Sequence, residues 1–196
     1  MTKSGLRGYY IYSPIGRTGS KRLRDLLRDN TPYNVLAHIG HFHIDGTVPN
    51  NPDSIEGIIH SHVLDIPIPQ GFLPILSTRK DKSQIVMSNY IAQKTQEYAP
   101  AIEKIPLEPF SIPVNEFIGI TQQILLKERR FIEKHDPVII YMEDSVEAIE
   151  KALNSKMPIR AADTATISNY STDAYIINHS ELQEAFEALD MALVRR

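Results

Sequence analysis

The stretch GYYIYSPIGRTGSKRLRDLL, residues 8–27, decides how the rest of the chain is read. Residues 8–13 are aromatic and β-branched, bounded by Gly8 and Pro14, and read as a buried strand. Leu23, Leu26 and Leu27 follow at helical spacing, on a segment that Ser20 is placed to cap. A strand, a Gly-bearing turn and a helix in that order aim backbone N–H groups at an anion. Gly16 and Gly19 let the backbone approach a phosphate or sulfate oxygen, and Arg17 and Lys21 add charge. Residues Gly16, Arg17, Thr18, Gly19, Ser20 and Lys21 therefore read as a phosphate-binding loop, against the alternative of a plain turn with surface basics.

Its spacing excludes an ordinary ATP or GTP loop. A Walker A loop reads G-x-x-x-x-G-K-[ST]. Here only Arg17 and Thr18 separate Gly16 from Gly19, and Ser20 precedes Lys21.

Composition narrows the class. The chain has 196 residues, 42% hydrophobic and 23% charged, which predicts one globular domain over 1–196 with a sizeable core. A net charge of −3 gives no support to nucleic-acid binding. Basic residues still gather at Arg17, Lys21, Arg22, Arg24 and Arg28, with Asp25 among them, which favours a small anionic ligand at one place. Without cysteine, disulfides, thiolate metal sites and cysteine nucleophiles are excluded. No apolar run approaches the roughly 18 residues that span a bilayer. The opening MTKSGLRG lacks the apolar core of a signal peptide, and a cytoplasmic protein is expected, with no membrane partner.

Further along, residues 34–40, 55–63 and 72–79 read as strands, with a polar, turn-rich loop between the first two. Asp81 and Gln84 suggest a capping box for a helix over 82–97. Residues 98–114 carry four prolines and read as a long irregular loop. A helix over 115–136 presents Phe117, Ile120, Ile124 and Phe131 as its stripe, with Leu125 and Ile132 alongside. Residues 137–144 read as a strand, and Asp144 with Glu147 as the cap of a helix carrying Val146, Ile149 and Leu153. A polar irregular segment, 155–179, precedes a last helix opened by Ser180. Strands alternating with helices predict an α/β fold: a P-loop-like, mainly parallel central sheet flanked by helices. Ligands in such sheets bind beyond the carboxyl ends of the strands.

The stretch TRKDKSQIVMSNYIAQKTQEY (78–98) resembles the 3′-phosphate segment of sulfotransferases that use 3′-phosphoadenosine 5′-phosphosulfate (PAPS), and most of all the bacterial trehalose-type enzymes. Lys80, with Arg79 beside it, and Ser88 eight positions later hold the spacing of that family's 3′-phosphate residues. SPIGRTGS is similar to the family's 5′-phosphosulfate loop, and VIIYMEDSVEAIEKAL (138–153) to its late strand and helix. The chain departs from the pattern at Gly16, where Pro or a basic residue is usual, at Lys21, where Thr is usual, and at Lys80, where Arg is usual. The resemblance implies PAPS as cofactor, an acceptor hydroxyl or amine on a small molecule or carbohydrate, and a possible homodimer. It implies that Lys80 and Ser88 hold the 3′-phosphate, with Arg160 as a further contact, and that a base follows the first helix. His41 is the first choice for that base, with His43 and Asp45 behind it.

Sulfuryl transfer, like phosphoryl transfer, needs groups positioned and oxygen charge neutralised. Arg17 takes that catalytic role with the N–H groups of Thr18, Gly19 and Ser20, and no metal is required. The alternatives are a P-loop kinase-like phosphotransferase and a non-catalytic adenine-nucleotide binder. A third rests on the histidines. His38, His41, His43, His60 and His62 are five of the seven, and two His-x-His pairs are able to ligate a divalent metal, as in a metal hydrolase. Hydrogen-bonded strand histidines are the expectation for His60 and His62, and no metal site is assigned.

Overall fold

A computed structural model describes residues 6–39, 44–46, 55–95, 108–153 and 172–194. They form two compact units. One contains the described residues up to Lys80 together with those from Lys127 to the end of the helix at 146–153; the other contains those of Asp81–Leu126 and those from 172 onward.

The first unit is built on a six-stranded sheet. In chain order its strands are β1 (Gly8–Tyr12), β2 (Val35–Ile39), β3 (Ile44–Gly46), β4 (Gly57–Ser61), β5 (Phe72–Thr78) and β6 (Val138–Tyr141). Across the sheet the order is β3-β2-β4-β1-β5-β6. All neighbours run parallel except β2 and β3. The mainly parallel α/β sheet expected from the alternation is what the chain forms. The antiparallel β3 was not expected, because Ile44–Gly46 lies inside a stretch dominated by turn-forming residues.

β1 is central and buried along its whole length, as a parallel strand covered on both faces must be. Gly8 is required there: a Cβ would lie 2.0 Å from the Gly57 carbonyl oxygen of the neighbouring strand. On one face Tyr9, Ile11, Ile58 and Ile75 meet Leu23 and Leu27 of α1 (Ser20–Asn30) and Ile149 and Leu153 of α4 (Val146–Leu153). On the other, Tyr10, Tyr12, Ile59 and Leu76 pack with Phe131 of α3 (Val114–His135), whose ring stacks on Tyr12 at 4.5 Å. Burial holds the Tyr12 phenol well above its ordinary pKa, with Tyr10 and Glu128 adding to it. The three early tyrosines are core, as their strand periodicity requires.

β2 contains an irregularity that matters for the site. Val35 pairs with Ile58 but Ala37 pairs with Ile59, so β2 spends two residues where β4 spends one. Such a bulge re-aims every later side chain. Gly57 makes room for it, since a Cβ there would lie 2.4 Å from Leu36 Cγ.

The second unit contains α2 (Lys82–Lys94), the first part of α3, α5 (Thr172–Tyr175) and α6 (His179–Val194). α2 packs on α5 and α6. Ser83 Oγ donates to Gln183 Oε1 at 3.0 Å and Thr172 Oγ1 to Gln84 Oε1 at 3.1 Å. Asp81 caps α2 as expected, accepting the Ser83 N–H at 2.9 Å.

Two helix assignments need correction. The buried stripe of α3 runs Phe117, Thr121, Ile124, Glu128, Phe131, while Ile132 is 37% exposed. Thr121 and Glu128 were not expected inside; Glu128 is tolerated because Thr78 Oγ1 donates to its carboxylate. At α4 the cap is Ser145, whose Oγ accepts the Ala148 N–H at 3.2 Å. The Asp144 carboxylate instead accepts the Tyr141 N–H and closes the turn after β6. No described helix is long and apolar enough to cross a membrane.

Candidate functional site

The carboxyl ends of β1, β2, β4 and β5 lie side by side, and the chain leaves β1 there into residues 13–19. Arg17 and Gly19 both adopt positive φ, 71° and 78°. For arginine that conformation is costly and is seen where the surroundings enforce it. Two contacts do so. Ser77 Oγ donates to the Thr18 carbonyl at 3.0 Å, pinning the loop to β5. Met142 fills the space beside Gly19, where a Cβ would come within 2.9 Å of its Cγ. The loop is thus anchored to β5 at Thr18 and packed on Met142 at Gly19.

Ser20 does not cap α1. It is the first helical residue, and the N-cap is Gly19, which offers no side-chain hydrogen bond. The first helical hydrogen bond is Leu23 N–H to the Gly19 carbonyl. A helix whose N-cap has no side-chain acceptor, preceded by left-handed residues, is a ready anion cradle. The predicted loop residues Gly16, Arg17, Thr18, Gly19, Ser20 and Lys21 are brought together here.

The rest of the predicted basic cluster is committed elsewhere. Arg22 Nη1 donates to the Met142 and Asp144 carbonyls at 2.8 and 3.1 Å, bracing α1 against the turn after β6. Arg24 pairs with Asp25 at 3.1 Å and Arg28 with Asp29 at 2.7 Å. Asp29 lies one residue past the window in which the basics were counted, so the local excess of positive charge is smaller than the sequence suggested.

The second predicted anion corner is different. Lys80 does follow the carboxyl end of β5, but its Nζ lies 3.4 Å from Asp144, and Arg79 Nε lies 3.1 Å from Glu143. Both cations are matched by carboxylates from the turn after β6. Ser88 is 6% exposed and donates to the Gln84 carbonyl of its own helix at 2.5 Å. Lys80 and Ser88 belong to different units, so their expected convergence finds no support within either. His41, His43 and Arg160 lie outside the described residues. Of Asp45 only the backbone is described, paired with His38 in the β2–β3 ladder.

A second constellation stands at the same edge. His38 ends up directly opposite His60 in the β2–β4 register, because the bulge turns it to the face that His60 occupies. His62, two residues on, shares that face. The His38 and His60 rings stack at 4.5 Å, and His62 meets His60 edge-on at 4.7 Å. Ser13, the first residue of the loop, links them. Its Oγ lies 3.2 Å from His60 Nε2 and 2.9 Å from His62 Nδ1, and its carbonyl lies 2.9 Å from that same His62 nitrogen. A carbonyl only accepts, so His62 carries its proton on Nδ1. His60 is 3% exposed, and its Nδ1 has no hydrogen-bond partner among the described residues. Burial, then the neighbouring His62, His38 and Arg24, hold the His60 pKa well below its ordinary value.

The sequence shows His60 and His62 as a same-face pair, but not their meeting with His38. Plain alternation from Val35 would send His38 to the opposite face. Ser13 gave no signal beyond its place at the strand end.

Compared with protein-family models, curated proteins and solved structures, the chain has no match in any of the three.

Proposed function

We propose that the chain is a PAPS-dependent sulfotransferase, moving a sulfuryl group to a hydroxyl or amine of a small-molecule or carbohydrate acceptor. One observation carries the reading: an α1 N-terminus without a side-chain cap, fronted by Arg17 and Gly19 in left-handed conformation, at the carboxyl end of the central strand. The motif resemblance at residues 13–20 and 78–98 supplies the donor.

On this reading the N–H groups of Thr18, Gly19 and Ser20, with Arg17, hold the 5′-phosphosulfate. The acceptor oxygen or nitrogen attacks sulfur, the sulfur–oxygen bond to the phosphate breaks, and adenosine 3′,5′-bisphosphate leaves with the bonding pair. The acceptor proton passes to a base, for which His41 stands on sequence alone. Arg17 and the amides offset the charge that builds on the departing oxygen.

The paired state of Arg79 and Lys80 favours a second reading. A 3′-phosphate must displace Glu143 or Asp144 to reach them. A ligand with a single phosphoryl end needs no such displacement, which suits a non-catalytic adenine-nucleotide binder of the same fold.

Isothermal titration of adenosine 3′,5′-bisphosphate, AMP, ATP and GTP separates these, together with a sulfate-transfer assay. The sulfotransferase reading expects the bisphosphate to bind tightest. Arg17→Ala should weaken it about 10- to 100-fold, the size of a hydrogen bond to a charged group. Equal affinity for AMP and the bisphosphate, with no turnover, selects the second reading. Binding of none of the four overturns both.

A further inference from the structure

We propose that His38, His60 and His62 form a three-imidazole site for a divalent transition metal of the zinc class, organised by Ser13. One ring nitrogen from each of the three histidines lies within 4.8 Å of the other two. A tetrahedral centre with Zn–N bonds of about 2.0–2.1 Å sets them roughly 3.4 Å apart. Closing on an ion therefore takes turns of side-chain torsions that unstack His38 from His60.

Ligating histidines usually donate their second ring N–H to a carbonyl or similar acceptor, which fixes the tautomer. Ser13 does this for two rings. Its carbonyl takes the His62 Nδ1–H, leaving His62 Nε2 with a lone pair. Its Oγ takes the His60 Nε2–H, leaving His60 Nδ1 with a lone pair. That nitrogen is buried and has no hydrogen-bond partner among the described residues. The opposite tautomer would bury an N–H donor without an acceptor, a rarer and costlier arrangement than a lone pair without a donor. His38 completes the set through the β2 bulge, an irregularity of a kind over-represented beside functional sites.

Imidazole nitrogens without thiolate or carboxylate suit Zn²⁺, Cu²⁺, Ni²⁺ or Co²⁺ over Mg²⁺ or Ca²⁺. Three protein ligands leave a fourth position open, as in catalytic zinc sites. Neutral rings do not offset the ion's charge, and Arg24 stands near His60. The fourth ligand is then water, hydroxide, or an oxygen of whatever the loop beginning at Ser13 holds.

The test uses full-length protein freed of metal by chelation and then titrated with Co²⁺ and with Zn²⁺. Uptake is read by elemental analysis and by the visible spectrum of tetrahedral Co²⁺. About one equivalent is expected. His38→Ala and His62→Ala, both at half-buried positions, should abolish uptake while keeping the wild-type far-ultraviolet circular dichroism. Ser13→Ala should weaken it about 10- to 100-fold. Arg17→Ala and His179→Ala should leave it unchanged, which keeps this inference separate from the reading of the anion loop. No uptake by the wild type overturns it, as does uptake that survives in both histidine variants or falls equally in His179→Ala.

Discussion

The exit from β1 and the exit from β5 look alike in sequence: a strand, then basic residues, then a helix. They are chemically opposite. After β1, the helix begins at a glycine with no side chain to offer, so its first amides have no acceptor from the N-cap side chain. After β5, Asp81 already caps the helix, and the cations ahead of it are matched by Glu143 and Asp144. A helix start is open to an anion when its N-cap leaves the amides available. Basic residues in the sequence do not reveal that; the identity and conformation of the N-cap do.

The most damaging way to break this contrast is Gly19→Ala. It puts a side chain at φ 78° and drives a methyl toward Met142. We expect a loss of about 1–3 kcal/mol in stability and disappearance of adenosine 3′,5′-bisphosphate binding. Urea unfolding and titration calorimetry check the two separately. A variant that keeps full binding would show that the left-handed turn is not what holds the ligand.

A smaller effect sharpens the other side. Asp81→Ala removes the α2 cap and should cost about 1 kcal/mol, read as a lower urea midpoint with unchanged slope. Phosphate affinity measured at the β1 exit should not move.

The smallest expected effect asks whether the β5 exit is closed by its carboxylates. Glu143→Gln releases Arg79 from a pair worth at most about 1 kcal/mol. Affinity for the bisphosphate should rise by up to about fivefold relative to AMP. A ratio that stays put, or falls, removes Arg79 from any 3′-phosphate role.

Much of the fold was legible because its signals are local. The buried run at 8–13, the leucine spacing of α1 and the alternation of strands with helices sit within short windows. What escaped was non-local or conformational. Arg79 meets a carboxylate 64 residues away and Arg22 a carbonyl 120 residues away, and no window contains both partners. Ser20 looked like a cap because its type suits that position, but Gly19 takes it through a positive φ that a one-letter code does not display. Glu128 has no place in the apolar stripe read from the sequence, and its burial depends on a partner, Thr78, 50 residues away. The histidine trio was half visible: the pair in β4 follows from alternation, whereas the third member depends on two residues of β2 standing opposite one step of β4.

That mismatch has an evolutionary reading. Removing the codon for Leu36 would restore an even ladder with Ala37 still opposite Ile59 and His38 still opposite His60. The trio therefore depends on where β2 pairs with β4 after Val35 and not on the extra residue itself, so a lineage can lose that residue and keep the three imidazoles together.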